Sequence, residues 1–353
     1  MFGKFETEIA TGMMLGHRLA VGGRTFSKGH TLSLEDVAFF LSHGISSVLA
    51  HRFEEHEIDE VTAADILGAP FAKEGVFSKS AVGGRVNFYA KADGLFIAER
   101  DLINSFNSIN QAVTFACLAD RSRVVEGELV GTLKIIPLAV GYRTVETARL
   151  VASTRPPISV WPFESRAVTL ISTTLPSLGA KTVEKTARIT AARLMERGST
   201  LVSELYSEHD INALADVLRE EADRRAGSNH LVIVFGASAV ADANDVIPAA
   251  IREAGGKVER VGMPVDPGNL IVIGAIADIP VIGAPGCARS PSLNGLDWVL
   301  DRTLAGDRID SGTIARMGVG GLLKEISSRP QLREASVSHE AVPQLRDTAL
   351  SGL

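Results

Sequence analysis

Three segments rich in small residues and hydroxyls could hold an anion. They are Thr173-Thr174-Leu175-Pro176-Ser177-Leu178-Gly179-Ala180-Lys181, Gly236-Ala237-Ser238-Ala239-Val240-Ala241-Asp242-Ala243-Asn244-Asp245 and Gly283-Ala284-Pro285-Gly286-Cys287-Ala288-Arg289-Ser290. Each leaves an aliphatic stretch and enters a helical pattern, where free amides and the helix dipole favour a phosphate. Lys181 and Arg289 add formal positive charge. Gly and Ser serve equally as turn and cap residues, so one such segment says little, and three on one sheet edge say more. A fourth segment, Pro264-Val265-Asp266-Pro267-Gly268-Asn269, puts the Asp266 carboxylate at a strand end. A carboxylate there can accept two hydrogen bonds from the amino-pyrimidinone edge of a guanine or a pterin. Pro267-Gly268 also suits a type II turn by itself. The residues expected to touch a ligand are Thr173, Thr174, Ser177, Lys181, Gly236, Ala237, Ser238, Asp242, Asp245, Asp266, Gly268, Pro285, Gly286, Arg289 and Ser290. No catalytic residue and no metal ligand stands out.

The elements that must position these segments alternate strand and helix. Strands are expected at Ala167–Thr173, Thr200–Glu204, His230–Phe235 and Lys257–Met263, with helices at Lys181–Arg197, Asp210–Arg225 and Asp245–Ala254. His230–Phe235 is continuously apolar, as a central strand covered on both faces should be. Leu270–Gly274 and Ile279–Gly283 are too closely spaced for a crossover and must pair as a hairpin. Ser290 is expected to cap a helix with Pro291 at its first position, running to about Leu304. The result is an α/β domain at 166–326, a three-layer, mostly parallel sheet with one antiparallel hairpin.

Before it, residues 1–155 read as a smaller accessory α+β domain. Ser33 with Asp36 forms a capping signal for a helix ended by Gly44, and Asp59 caps another through Leu67. Short strands at Gly84–Ala90, Gly94–Glu99, Ala112–Leu118 and Gly131–Ile136 suggest a barrel-like β part. Arg155-Pro156-Pro157 marks the boundary, placed between about 150 and 166. The tail at 327–353 is polar and reads as linker.

Composition narrows the function classes. A chain of 353 residues allows two domains, and 45% hydrophobic content supports a real core. A net charge of −6 argues against a general nucleic-acid binder. Cys117 and Cys287 alone exclude a disulfide scaffold and a Cys-rich metal site, and they fit a cytoplasmic protein. No stretch suits a membrane span or a secretory signal. Neither a Walker loop nor Gly-x-Gly-x-x-Gly after a strand is present. His51 and His56 lie in a charged segment that reads as a solvated face. Val125–Thr132 has the style of a biotinyl or lipoyl barrel, but Lys91 lacks the flanking pattern of a modified lysine.

With these motifs in place, the second half resembles the molybdopterin-binding domain family of molybdenum cofactor biosynthesis, which includes adenylyltransferases and molybdenum insertases. The resemblance covers roughly Ala167 to Gly306. Phe235-Gly236-Ala237-Ser238 with Asp242, Asp245 and Pro248 is similar to the family's Gly-Gly-hydroxyl loop followed by Asp and Pro. Asp266-Pro267-Gly268-Asn269 resembles the insertase Pro-Gly turn, and Ala284-Pro285-Gly286-Cys287-Ala288 the Leu-Pro-Gly-Asn-Pro segment. Two departures matter. Ala237 replaces the second glycine, and Glu184-Lys185-Thr186 stands where the family has Asp-Ser-Asn, whose acids help position metal and molybdate.

The resemblance implies a protein that binds molybdopterin or molybdenum cofactor as ligand during cofactor biosynthesis or maturation. The alternatives are a catalytic transferase of the same family, for adenylyl transfer or molybdenum insertion, and a non-catalytic nucleotide- or cofactor-sensing module. A subgroup of this kind often precedes a nucleotidyltransferase domain, so a nucleotidyltransferase or a molybdoenzyme is an implied partner. A homo-oligomer is compatible with this reading, whereas nucleic acid and membrane are not expected partners.

Overall fold

The computed structural model describes residues 1–323. The segment read as a linker tail, 327–353, lies outside the described residues.

The second half is built on a six-stranded sheet. Its strands are β1 (Ala167–Thr174), β2 (Thr200–Glu208), β3 (His230–Phe235), β4 (Lys257–Val261), β5 (Val272–Ile276) and β6 (Ile279–Ala284), in the order β2-β1-β3-β6-β5-β4. β1 runs parallel to β2 and β3, and β3 runs parallel to β6. β5 is antiparallel to both β6 and β4, so one strand alone is reversed. The fold is therefore mixed α/β with a large, mostly parallel sheet, and the expected hairpin is formed by β5 and β6.

All six residues of β3 are buried, and their alternation divides the core. Leu231, Ile233 and Phe235 pack with α1 (Ala180–Met195) and α4 (Gly295–Leu304). Val232 and Val234 pack on the other face with α2 (Ile211–Arg224) and α3 (Val246–Glu253). These are the three layers that the period-2 side-chain geometry of a strand requires. Asp210 and Asp245 cap α2 and α3 through their carboxylates, as polar residues before an apolar-periodic run should.

Ser290 does not cap a helix. It closes a short 3-10 turn, Gly286–Arg289, and α4 begins only at Gly295. Asn294 is the cap: its side chain accepts from Leu296 N–H at 3.0 Å, and Asp297 accepts from Asn294 N–H at 3.0 Å. That reciprocal pair outcompetes Ser290, whose hydroxyl lies 3.2 Å from Ser292 Oγ instead.

The first half contains two apolar cores. One gathers Leu15, Phe26, Leu32, Phe40 and Val48, and the other is centred on Phe71, Phe88, Phe96, Phe106 and Phe115. The capping box of Ser33 and Asp36 and the Asp59 cap both form. The strands around the second core belong to separate sheets of four, three and two strands, and no single hydrogen-bonded ladder closes into a barrel among the described residues. Two helices lack a sequence signal: Arg100–Asn107 and Tyr142–Ala152. Pro156-Pro157 does not open a loose linker. It leads into the strand Ile158–Pro162, which pairs along its length with Gly94–Ala98. The connection to β1 is the short stretch from Phe163 to Arg166, held by Phe163 N–H on Asp93 O at 3.1 Å and Glu164 N–H on Leu304 O at 2.7 Å.

Candidate functional site

β1, β3 and β6 end on one edge of the sheet, and the three anion-type segments leave from there. Ligands of open parallel sheets gather at this edge because helix starts and loop amides converge on it.

Thr173, at the end of β1, is fully buried. Its Oγ1 accepts from Ala237 N–H at 2.8 Å and lies 2.8 Å from His209 Nδ1. His209 Nε2 lies 3.1 Å from Ser238 Oγ. One imidazole thus ties together the loops after β1, β2 and β3. Pattern reading missed His209, because a lone histidine before the Asp210 cap carries no motif.

Arg289 sits on the turn after β6 and is half-buried. It donates to Thr186 Oγ1 at 2.6 Å and to Gly236 O at 2.9 Å, and its guanidinium lies 4.9 Å from the centre of the Phe235 ring. No carboxylate stands within ion-pair distance of it among the described residues. Asp297, the acid nearest in sequence, is taken by Arg193 at 2.7 Å and Arg197 at 3.2 Å. Burial therefore lowers the pKa of Arg289, with no opposing anion to restore it. A guanidinium carries five N–H donors, and the two contacts leave the others for a ligand.

The turn that carries Arg289 is held from behind. Arg193, buried on α1, donates to the carbonyls of Ala288 at 3.0 Å, Ser290 at 2.9 Å and Ser292 at 3.3 Å. Arg197, one turn on, pairs with Asp301 at 2.6 Å. Burial raises the Asp301 pKa, and the Arg197 charge opposes that rise.

The other expected residues divide by role. Thr174 donates to Ser207 O at 3.1 Å, joining β1 to the edge strand. Ser177 and Lys181 are exposed, on the loop after β1 and in the first turn of α1. Asp242 accepts from Asn244 N–H at 2.8 Å, and Asp245 accepts from Ala241 N–H at 2.8 Å and Val246 N–H at 2.7 Å. Both carboxylates thus order the loop and the start of α3. Pro285 is buried at the entrance to the 3-10 turn, and Gly286 is exposed on it.

Asp266 and Gly268 stand on a separate segment. The Asp266 main chain pairs with Gly321 O at 2.8 Å and Leu323 N–H at 2.9 Å. Burial holds the Cys287 thiol above its usual pKa, and the Asp266 charge adds to that rise. Gly268 has φ +134°, well beyond the value of about +80° that a type II turn needs. Close approach to α4 also demands glycine here: a Cβ at Gly268 would collide with the backbone of Gly295, whose N–H donates to Pro267 O at 2.8 Å.

Of Glu184-Lys185-Thr186, the first two are exposed on α1 and Thr186 is buried beneath Arg289. Among the described residues no group of three or more His, Cys, Asp and Glu side chains could hold a metal ion, and no helix is long and apolar enough to cross a membrane.

No known protein family matches the sequence, and no curated protein does. Among solved structures, a molybdopterin biosynthesis MoeA protein from Pyrococcus horikosii aligns over 87% of this chain and 76% of its own, at 12% identity and a TM-score of 0.29. A molybdenum cofactor biosynthesis protein B aligns over 39% of this chain and 87% of its own, at 12% identity and a TM-score of 0.27. NadC from Streptococcus pyogenes aligns over 49% of this chain and 67% of its own, at 16% identity and a TM-score of 0.16.

Proposed function

We propose that the chain binds molybdopterin or molybdenum cofactor at the sheet edge formed by β1, β3 and β6, in the biosynthesis or maturation of that cofactor. The observation that carries this reading is Arg289, a half-buried guanidinium without a carboxylate partner at the edge where parallel sheets take ligands. An uncompensated buried cation costs stability unless an anion completes it, and a pterin phosphate is such an anion. Support also comes from the order of Gly236-Ala237-Ser238, Asp266-Pro267-Gly268 and Pro285-Gly286 along the chain, the same order as in the molybdopterin-binding family that the sequence resembles. Ser238 and His209 add a hydroxyl and an imidazole on the loops after β3 and β2, and Lys181 adds charge at the rim. Asp266 is the acceptor for the amino-pyrimidinone edge.

Binding without adenylyl transfer is the form of this function that α1 favours. Glu184 offers one exposed carboxylate with Lys185 beside it, and a cation there competes with a divalent metal. The protein would then act in the cytoplasm as a carrier or scaffold for the pterin, with a nucleotidyltransferase or molybdoenzyme as partner.

The test is mass spectrometry of small molecules released from the purified chain, together with titration of added molybdopterin followed by pterin fluorescence. A bound phosphorylated pterin, with no adenylyl transfer on adding ATP and magnesium, is the expected result. Absence of pterin in the purified protein and no binding on addition would overturn the reading.

A further inference from the structure

A second concave site lies away from the sheet edge, between the two halves of the chain. Its volume is about 780 Å³, within the usual range for small-ligand clefts. The loop Ala119–Arg123 of the first half forms one wall, and α4 with the segment Arg316–Gly320 forms the other. The halves are tied across it by Arg121 on Asp307 at 2.8 Å and Arg123 on Glu196 at 3.0 Å.

The walls carry six arginines against four carboxylates, Asp120, Glu196, Asp297 and Asp301. Those four are matched by Arg121, Arg123 and Arg197, and Arg302 is matched by Asp307. Arg100 and Arg316 have no carboxylate in ion-pair distance among the described residues, and both are exposed, although Arg316 donates to Thr313 Oγ1 at 3.3 Å. The buried Nε–H of Arg123 has no acceptor. Trp298, half-buried on α4, lends ring surface to the wall. Arg121 is itself backed by the Trp161 ring, whose centre lies 5.7 Å from its guanidinium.

From this we infer that the cleft binds a small polyanion carrying a planar ring, of the nucleoside polyphosphate class, with Arg100 and Arg316 on the phosphates and Trp298 against the ring. Guanidinium groups pair with phosphate oxygens through two parallel hydrogen bonds, which suits them to this ligand. A ring stacked on an indole adds affinity that the phosphates alone do not supply. The site is independent of Arg289 and of the pterin reading.

The experiment is isothermal titration calorimetry of the full chain with ATP, pyrophosphate and adenosine, with tryptophan fluorescence as a second readout. ATP should bind more tightly than pyrophosphate, adenosine should bind weakest, and added salt should weaken the two anions. Charge reversal at both exposed arginines, Arg100→Glu with Arg316→Glu, should weaken ATP roughly tenfold or more. Val319→Glu is a second variant, because Val319 is fully exposed on the wall and its replacement removes no contact. It should weaken ATP severalfold while melting like the wild type. Arg289→Ala should leave ATP binding unchanged. The inference fails if the wild type binds neither ATP nor pyrophosphate. It fails equally if Arg289→Ala abolishes binding while the cleft variants do not, since the anion would then sit at the sheet edge.

Discussion

Thr186 and Arg289 stand 103 residues apart in sequence and meet at 2.6 Å. The bond fastens the turn after β6 to the buried face of α1. A hydroxyl there orients the guanidinium without neutralising it, so the positive charge stays available to a ligand.

Replacing Arg289 by Ala should weaken a phosphorylated pterin about ten- to a hundredfold, with a smaller effect on the dephosphorylated analogue. Stability should also fall, by about 1–2 kcal/mol, because the side chain bonds Thr186 and Gly236 and covers Phe235. Arg289→Lys should restore part of the affinity, since a point charge cannot reach both acceptors and a phosphate together. Equal loss for both ligands, measured by fluorescence titration, would show that Arg289 only orders the turn.

His209→Ala should separate the loops that the imidazole joins. We expect affinity for the pterin to fall severalfold and the unfolding midpoint in urea to move little, because His209 is only half-buried. An unchanged dissociation constant would remove His209 from the site.

Asp297→Ala should be among the most damaging substitutions on α4. It leaves the buried Arg193 without a carboxylate, takes from Arg197 the second of its two acids, and removes the reciprocal cap on Asn294. Breaking a buried pair by deleting one partner costs about 3–5 kcal/mol. Urea denaturation checks this, and a loss below about 1 kcal/mol would mean that water reaches the arginines.

Acid should destabilise the fold in two stages through one buried cluster behind β3. Thr169 Oγ1 donates to Glu221 at 2.6 Å and lies 2.9 Å from His230 Nε2. Burial, and then the Arg225 charge, lower the His230 pKa below its ordinary 6.5. The unfolded histidine therefore takes up its proton first, and stability present above pH 6.5 declines as pH falls below it. Burial would raise the Glu221 pKa, but the bonds from Thr169 and Arg225 outweigh that and hold it under its ordinary 4.5. Its contribution is present above pH 4.5 and is lost on further acidification. Urea midpoints measured from pH 8 to pH 4 should fall along this course, and His230→Gln should flatten the upper stage alone. A midpoint that rises on acidification from pH 8 to pH 6 would contradict the assignment.

The sheet half was legible because its signals are local. His230–Phe235 is uniformly apolar, Asp210 and Asp245 are strong caps, and the spacing of the last two strands forbids a crossover. The helices Arg100–Asn107 and Tyr142–Ala152 were not legible, because neither Glu99 nor Gly141 makes a side-chain cap and β-branched residues interrupt the second. Ser290 looked like a cap because Pro291 follows it, while the Asn294–Asp297 box four residues on was stronger. At the site, the loops and Arg289 could be read from their residue types. The roles of His209, Thr186 and Arg193 could not, since each acts through a partner at least 29 residues distant, and single-sequence patterns carry no such pairing.

The grip of Arg193 on three successive stretches of the 288–292 carbonyls has a kinetic consequence. The turn bearing Arg289 is already fixed when a ligand arrives, so its ordering entropy is lost during folding and not during association. Encounter should then proceed without a slow rearrangement, and differences in affinity among pterins should be expressed chiefly as differences in residence time.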